Sequence, residues 1–286
     1  MRILITGANG QLGRALQEAF SGDTVLPFGH GQLDITDPVA VQRAIAEAHP
    51  EAVIHSAAWT DTAGCECDPE QARLVNGNAA GYVAEACRVN GAVMVHISSN
   101  EVFDGEKHAP YNEDDTVNPI NEYGRSKLAG EQAVAAALPE HQIVRTSWLY
   151  GPGRVSFPEK ILERARTDGR LRLVTDEIAS PTWTIDLAKA IAALVRKPEF
   201  GVFHLANDGE CSRKQWAEEI IRLAGIAVPV EDATQAAFDL PYKKPVVSTL
   251  TNNRAAALGV TMRPWQEALA DHMRVTGALA GEAARA

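Results

Sequence analysis

The chain has 286 residues, 45% of them hydrophobic and 22% charged, a balance that excludes wholesale disorder and supports a sizeable core. Its 27 Lys and Arg against 37 Asp and Glu give a formal charge of -10 with no basic run, which excludes nucleic acid as a partner; a phosphorylated ligand needs a local site of backbone N–H groups and a few cations. No apolar stretch reaches the roughly 18–20 residues of a membrane span, and Met1-Arg2-Ile3-Leu4-Ile5 runs straight into a glycine turn, which predicts a cytoplasmic protein with no membrane partner.

Arg2–Thr6 is an apolar run that predicts the first strand, and 11–20 has Leu12, Leu16 and Phe20 at helical spacing. Thr24–Phe28 predicts a second strand. Asp37 as cap and Pro38 at the first position open a helix over 39–48. Ala52–His55 is the next strand, 69–90 a helix, 92–98 a strand, 123–138 a helix and 142–146 a strand. This alternation predicts an α/β fold, a Rossmann-type doubly wound parallel sheet with helices on both faces. Beyond the Gly151-Pro152-Gly153 break, 158–167, 184–195, 212–224 and 264–273 read as helices, 171–175 and 202–205 as strands, and 233–253 as irregular. The expected organisation is a nucleotide-binding domain at 1–150, a smaller C-terminal α/β substrate lobe at 151–275 interleaved with the first, and a flexible tail at 276–286. Cys65, Cys67, Cys87 and Cys211 are too few for a disulfide scaffold. Cys65-x-Cys67 lacks a second ligand pair at metal spacing, so these read as loop cysteines and no metal is expected.

Gly7, Gly10 and Gly13 fall between the first strand and the first helix, a variant of the dinucleotide-binding turn. Gly7 permits the turn, Gly10 lets backbone approach a pyrophosphate, and Gly13 lets helix and sheet pack closely. The free N–H groups at the helix start then face the phosphates. The second strand ends Phe28-Gly29-His30 without the carboxylate that would hold a ribose diol, and Arg14 and His30 offer cations instead. This predicts NADPH as the preferred cofactor, with NADH as the alternative. Asp34 and Ile35 are candidate adenine contacts, with a loop cap as the other reading of Asp34.

The strand at 92–98 ends in Ser98-Ser99-Asn100-Glu101, hydroxyls and polar groups at the end of a parallel strand; His96 inside the run reads as a packed core residue. Tyr123 and Lys127, four apart on a helix, share a face. A ketone accepting hydride needs a proton on oxygen, and a phenol can give it. The ammonium of Lys127, with an oxidised nicotinamide, is expected to make that phenol more acidic; three pKa units would be about 4 kcal/mol. Ser99 is placed to hydrogen-bond the same oxygen.

These motifs together resemble the extended short-chain dehydrogenase/reductases. Leu33-Asp34-Ile35-Thr36-Asp37-Pro38, Ala57-Ala58-Trp59-Thr60, Val102-Phe103-Asp104-Gly105, Arg145-Thr146-Ser147-Trp148 and Ser180-Pro181-Thr182 are similar to the dTDP-4-dehydrorhamnose reductase family, over residues 1 to about 273. The resemblance implies NAD(P)H-dependent reduction of the 4-keto group of a dTDP-6-deoxyhexulose, a nucleotide-sugar substrate. It implies cofactor contacts at Gly10, Gln11, Leu12, Asp34, Ile35, Ala57, Ala58, Trp59, Tyr123 and Lys127, and substrate contacts at Ser99, Asn100 and Trp148. Catalysis would fall to Ser99, Tyr123 and Lys127. The chain departs from the family's pattern at Ser99-Asn100-Glu101, where Thr-Asp-Tyr is usual, and at Lys243-Lys244-Pro245. Arg213-Lys214 replace a commonly aromatic pair, and Ala15 replaces a glutamate linked in some members to a magnesium-bridged homodimer, so that metal is not carried over. Two other readings compete: a sugar-nucleotide 4,6-dehydratase or epimerase, in which Glu101 does acid–base work, and a non-catalytic NADP-binding regulatory subunit.

Overall fold

Runs such as Ile3-Leu4-Ile5 have no polar face, so the strands they form must be covered on both sides. The computed structural model describes residues 1–280 and shows how this is done. β1 (Arg2–Thr6) leads through the glycine turn into α1 (Gln11–Ala19), and β2 (Thr24–Phe28) leads into α2 (Pro38–Ala48). β3 (Ala52–His55) is followed by α3 (Thr62–Cys67), α4 (Pro69–Ala72), a π-turn at Arg73–Asn78 and α5 (Ala79–Asn90). Then come β4 (Val93–Ser99), α6 (Glu122–Ala137) and β5 (His141–Thr146). The remainder holds β6 (Leu149–Tyr150), α7 (Phe157–Asp168), β7 (Leu171–Val174), β8 (Ile178–Ala179), β9 (Thr182–Trp183), α8 (Thr184–Leu194), β10 (Gly201–His204), β11 (Cys211–Ser212), α9 (Arg213–Leu223), β12 (Val230–Ala233), α10 (Asn253–Ala257) and α11 (Trp265–Val275).

Six strands form one parallel sheet in the order β10-β5-β4-β3-β1-β2. Strand alternation divides its side chains between two cores. Ile3, Ile5, Ile54, Val95 and Val144 meet α1 and α8, while Leu4, Val53, Met94 and Ile143 meet α2, α5 and α6. The expected Rossmann-type architecture is therefore present. The chain winds outward from β1 in both directions, so β1 and β3 flank the switch point, where open α/β sheets leave a crevice. A further apolar cluster joins Tyr150, α7, α9, α11 and Trp183. Residues 151–275 contribute to both regions, because α8 and β10 pack on the main sheet.

Several local expectations are corrected. The helix read over 69–90 is interrupted by the π-turn, where Asn76 is buried and hydrogen-bonded on both sides of its amide. The cysteines are not loop residues: Cys65 and Cys67 lie on α3, Cys87 on α5 and Cys211 on β11, all as free thiols. α3 escaped sequence reading because Thr-Ala-Gly-Cys-Glu-Cys has no apolar period. Residues 276–280, expected to be loose, are tied down: the Ala280 N–H donates to the Leu223 carbonyl at 2.9 Å, and Leu279 packs on the third core. The rest of that expectation, 281–286, lies outside the described residues. Asp37 caps α2 as read, its Oδ1 accepting from the Val39 and Ala40 N–H groups at 2.9 and 3.1 Å. Among the described residues, no helix is long and apolar enough to cross a membrane.

Candidate active site

The glycine turn sits at the switch point. Gly7 has φ +68°, and a Cβ there would lie 2.7 Å from the Ala57 nitrogen, so only glycine lets β1 and β3 open side by side. A Cβ on Gly13 would lie 2.2 Å from the Gly7 carbonyl, which is the cost of packing α1 so close to the turn. Gly10 precedes α1 as its cap residue with no side-chain cap, and the first turn, Gln11, Leu12 and Gly13, lines the crevice with its N–H groups unpaired within the helix. Gln11 pins the turn to the distant segment after β6 by donating from Nε2 to the Gly151 and Arg154 carbonyls at 2.8 and 3.1 Å.

Two cavities meet at Gly7, Gly10, Ser56 and Ala58. One, of ≈ 580 Å³, is lined by Asn9, His30, Asp34, Ile35, Ala57 and Trp59. Asp34 lines it, and its Oδ1 accepts from the Thr36 N–H and hydroxyl at 2.9 and 2.7 Å, the bonds of the loop-cap reading. Arg14 lines neither cavity; it is exposed and its Nε donates to the Asn9 carbonyl at 3.1 Å. Asn76, which sequence reasoning missed, fixes this wall. Its Oδ1 accepts from the Trp59 N–H at 2.8 Å, and its Nδ2 donates to the Trp59 carbonyl at 2.9 Å and the Ser126 hydroxyl at 3.0 Å.

The second cavity, of ≈ 420 Å³, gathers Leu12, Gly13, Ser99, Asn100, Glu101, Tyr123, Lys127 and Trp148. The strand end and the helix are brought together by close contact. A Cβ on Gly124 would lie 2.1 Å from the Glu101 carbonyl, so the residue after Tyr123 must be glycine for α6 to reach the Ser99 segment. Lys127 is 2% exposed, and no described residue accepts a hydrogen bond from its ammonium. Burial lowers it to about 8, against the opposing pull of Glu131. Tyr123 departs from the expectation: in the protein alone its phenol is not acidified. Burial pushes it above the usual tyrosine range, the Glu101 carboxylate adds to this, and hydrogen bonding with Ser99 only partly offsets both. His96 is fully buried against His55, their rings stacked at 5.5 Å, as a core residue.

Trp148 carries the wall opposite. Its backbone is left-handed, with φ 44°, an uncommon state for a bulky residue and one found where structure over-determines the chain. Its ring stacks on Trp216 at 5.7 Å, and the Arg213 guanidinium lies 3.5 Å over it. Arg213 is held there by Glu177, which accepts from its Nη2 at 2.8 Å and from Lys244 Nζ at 3.4 Å. Nothing local in the sequence announces Glu177, because its partners come from segments 36 and 67 residues away. Asn100 turns its amide to Ser248, donating to that hydroxyl at 2.7 Å. Among the described residues no group of three or more His, Cys, Asp or Glu is placed to hold a metal.

A dinucleotide fits these residues: an uncapped helix start faces the switch-point crevice, and a buried ammonium with no acceptor among the described residues lies further along it. Fold and site together define a Rossmann-type protein with the Ser-Tyr-Lys constellation of the short-chain dehydrogenase/reductases. The chain belongs to the RmlD substrate binding domain family, whose model matches residues 1–276. It is similar to a dTDP-4-dehydrorhamnose reductase of Streptomyces griseus, 38% identical over 99% of this chain and 96% of that one. It is also similar to a dTDP-4-keto-6-deoxy-D-glucose reductase of Streptomyces niveus, 40% identical over 78% and 79% of the two chains. Among solved structures, a dTDP-4-dehydrorhamnose reductase of Bacillus anthracis in complex with NADP superposes with TM-score 0.93 at 35% identity, covering 96% of this chain and 99% of that one.

Proposed function

We propose that this protein reduces the 4-keto group of a dTDP-4-dehydro-6-deoxyhexose with NADPH. The observation that carries this reading is the convergence of Ser99, Tyr123 and Lys127 on the cavity that opens from the glycine turn. When bound, the reduced dinucleotide supplies the hydride. The chain's own residues do the rest. Backbone N–H groups at Gln11, Leu12 and Gly13 hold the pyrophosphate, which the bare backbone of Gly10 lets approach, and Ile35, Ala57, Ala58 and Trp59 wall the adenosine side. Ser99 orients the ketone by donating to its oxygen. Tyr123, kept protonated by its surroundings, gives that oxygen its proton, and the Lys127 ammonium offsets the phenolate charge and binds the nicotinamide ribose. Trp148 offers the sugar an apolar platform, and Asn100 a polar contact.

NADPH over NADH is supported by the end of β2, where Phe28-Gly29-His30 holds no carboxylate and Asp34 is occupied by Thr36. His30 lines the cavity beside it. The 151–275 segment is the substrate side of the molecule in this reading, and the cytoplasm is where the enzyme draws on reduced cofactor. Asn100 is an amide bonded to Ser248, so it lacks the acid that a dehydratase would need there.

The test follows the NADPH absorbance of the purified protein with dTDP-4-keto-6-deoxyhexoses and identifies the product by NMR. Oxidation of NADPH with a 4-hydroxy product is expected, at higher kcat/KM than with NADH. No turnover of any nucleotide-linked 4-ketosugar overturns the reading, and a clear NADH preference overturns the cofactor assignment.

A further inference from the structure

Glu101 has no task in the hydride and proton transfers described above, yet it faces the same cavity as Ser99, Tyr123 and Lys127. Its Oε2 accepts from Asn121 Nδ2 at 2.7 Å, and no described residue donates to its Oε1. Nor does it have a direct ion-pair partner among the described residues. The two cations nearby, Arg213 and Lys244, are both engaged by Glu177. The hydrogen bond to Asn121 does not require a charge, since a glutamine carbonyl would accept it equally well. The second carboxylate oxygen therefore keeps its lone pairs free in a residue that lines the cavity. Burial raises its pKa, and Glu177 adds to this against the opposing pull of Asn121, Lys244 and Arg213. Such a group holds a proton more readily than an ordinary carboxylate and can both take and return one.

The chemistry beside it supplies a proton to take. A ketone held by the Ser99 and Tyr123 hydroxyls acidifies the C–H bonds on its two neighbouring carbons. Glu101 is two residues from Ser99 and shares the cavity with it. We propose that Glu101 is an acid–base group for a carbon next to the ketone, giving the protein a second activity: exchange of that carbon's proton with solvent. The inference rests on the 4-ketosugar reading. In the forward step the carboxylate takes the proton, the C–H pair becomes the carbon–carbon double bond of an enolate, and the carbonyl π pair moves onto oxygen. The hydroxyls of Ser99 and Tyr123 donate to that oxygen. Glu101 exchanges its proton with water and returns one to carbon as the electrons move back. Nothing is oxidised or reduced, and no group leaves.

The experiment loads the protein with NADP⁺, so that no reduction occurs, and incubates it with the 4-ketosugar in D₂O. Mass spectrometry counts the deuterium and NMR assigns the carbon. Incorporation well above that in buffer is expected. Glu101→Gln keeps an acceptor for Asn121, and its ratio of exchange to NADPH-dependent reduction is expected to fall by about 100-fold. Wild-type protein that reduces the ketone but takes up no deuterium overturns the inference and leaves the reductase reading standing. Glu101→Gln that exchanges as fast as wild type, relative to its own reduction rate, also overturns the inference. A protein that neither reduces nor exchanges overturns the reductase reading, and this inference with it.

Discussion

Lys127 shows burial and chemistry pulling in opposite directions. Its side chain is 2% exposed, and its pKa falls to about 8, so the ammonium form dominates below that pH and is lost above it. If the charge is what receives the cofactor ribose and offsets the phenolate, kcat/KM for NADPH declines as pH rises through about 8, and Lys127→Met flattens the profile at a low value. A wild-type profile still level a full unit above that pKa would reject the assignment. Tyr123 behaves differently. Its raised pKa keeps it protonated across the same range, so it stays loaded as an acid, and the rate should not rise with deprotonation. Tyr123→Phe is expected to lower kcat by about 100-fold or more, read from NADPH absorbance with saturating ketosugar. Activity within a few-fold of wild type would remove the phenol from the chemistry.

α6 has its position set at both ends of the stretch that matters. At its start, Asn121 accepts from the Gly124 N–H at 2.8 Å through Oδ1, and donates from Nδ2 to Glu101 and to the Lys243 carbonyl at 2.7 and 2.9 Å. One residue thus caps the helix and ties Tyr123 to the strand end and to the C-terminal segment. Asn121→Ala is expected to cost about 1–2 kcal/mol of stability in urea unfolding. Asn121→Asp keeps the cap acceptor but sets a carboxylate against Glu101 and the Lys243 carbonyl, so it is expected to be no more stable than Asn121→Ala; stability near wild type would reduce Asn121 to a cap. Two turns further on, Glu131 accepts from Arg145 at 2.9 and 2.7 Å and from the Ser98 hydroxyl at 2.5 Å, joining α6 to β5 and β4. Both charged side chains are 5% exposed, so Glu131→Ala strands a buried guanidinium and is expected to destabilise by about 3–5 kcal/mol. A loss below about 1 kcal/mol in the same measurement would mean that water reaches the pair.

Over the described molecule, three of the four buried histidines shape the response to acid. Burial holds His55 and His204 at about 3, and it depresses His96 as well. Each has a pKa of about 6.5 in the unfolded chain. Below that value the unfolded state binds protons that the fold refuses, so stability falls as pH drops from about 6.5 towards 3, by up to about 1.4 kcal/mol per pH unit for each histidine. Above 6.5 their contribution is complete. Urea midpoints measured between neutrality and about pH 5 should therefore fall steadily, and a flat midpoint would mean that these rings are protonated in the fold.

The sequence alone determined the sheet, because strands buried on both faces must be continuous apolar runs and the helices between them need caps and periodicity that a single chain displays. It also determined the local pieces of the site, the glycine turn and the four-residue spacing of Tyr123 and Lys127, since each lies within one turn or one helix. What only the tertiary structure decided is everything made by distant partners: Asn76 on Trp59, Glu177 on Arg213, Gly124 against the Glu101 carbonyl, and the phenol's pKa. Those depend on burial and on charges brought together from separate segments, and neither quantity exists until the chain has packed.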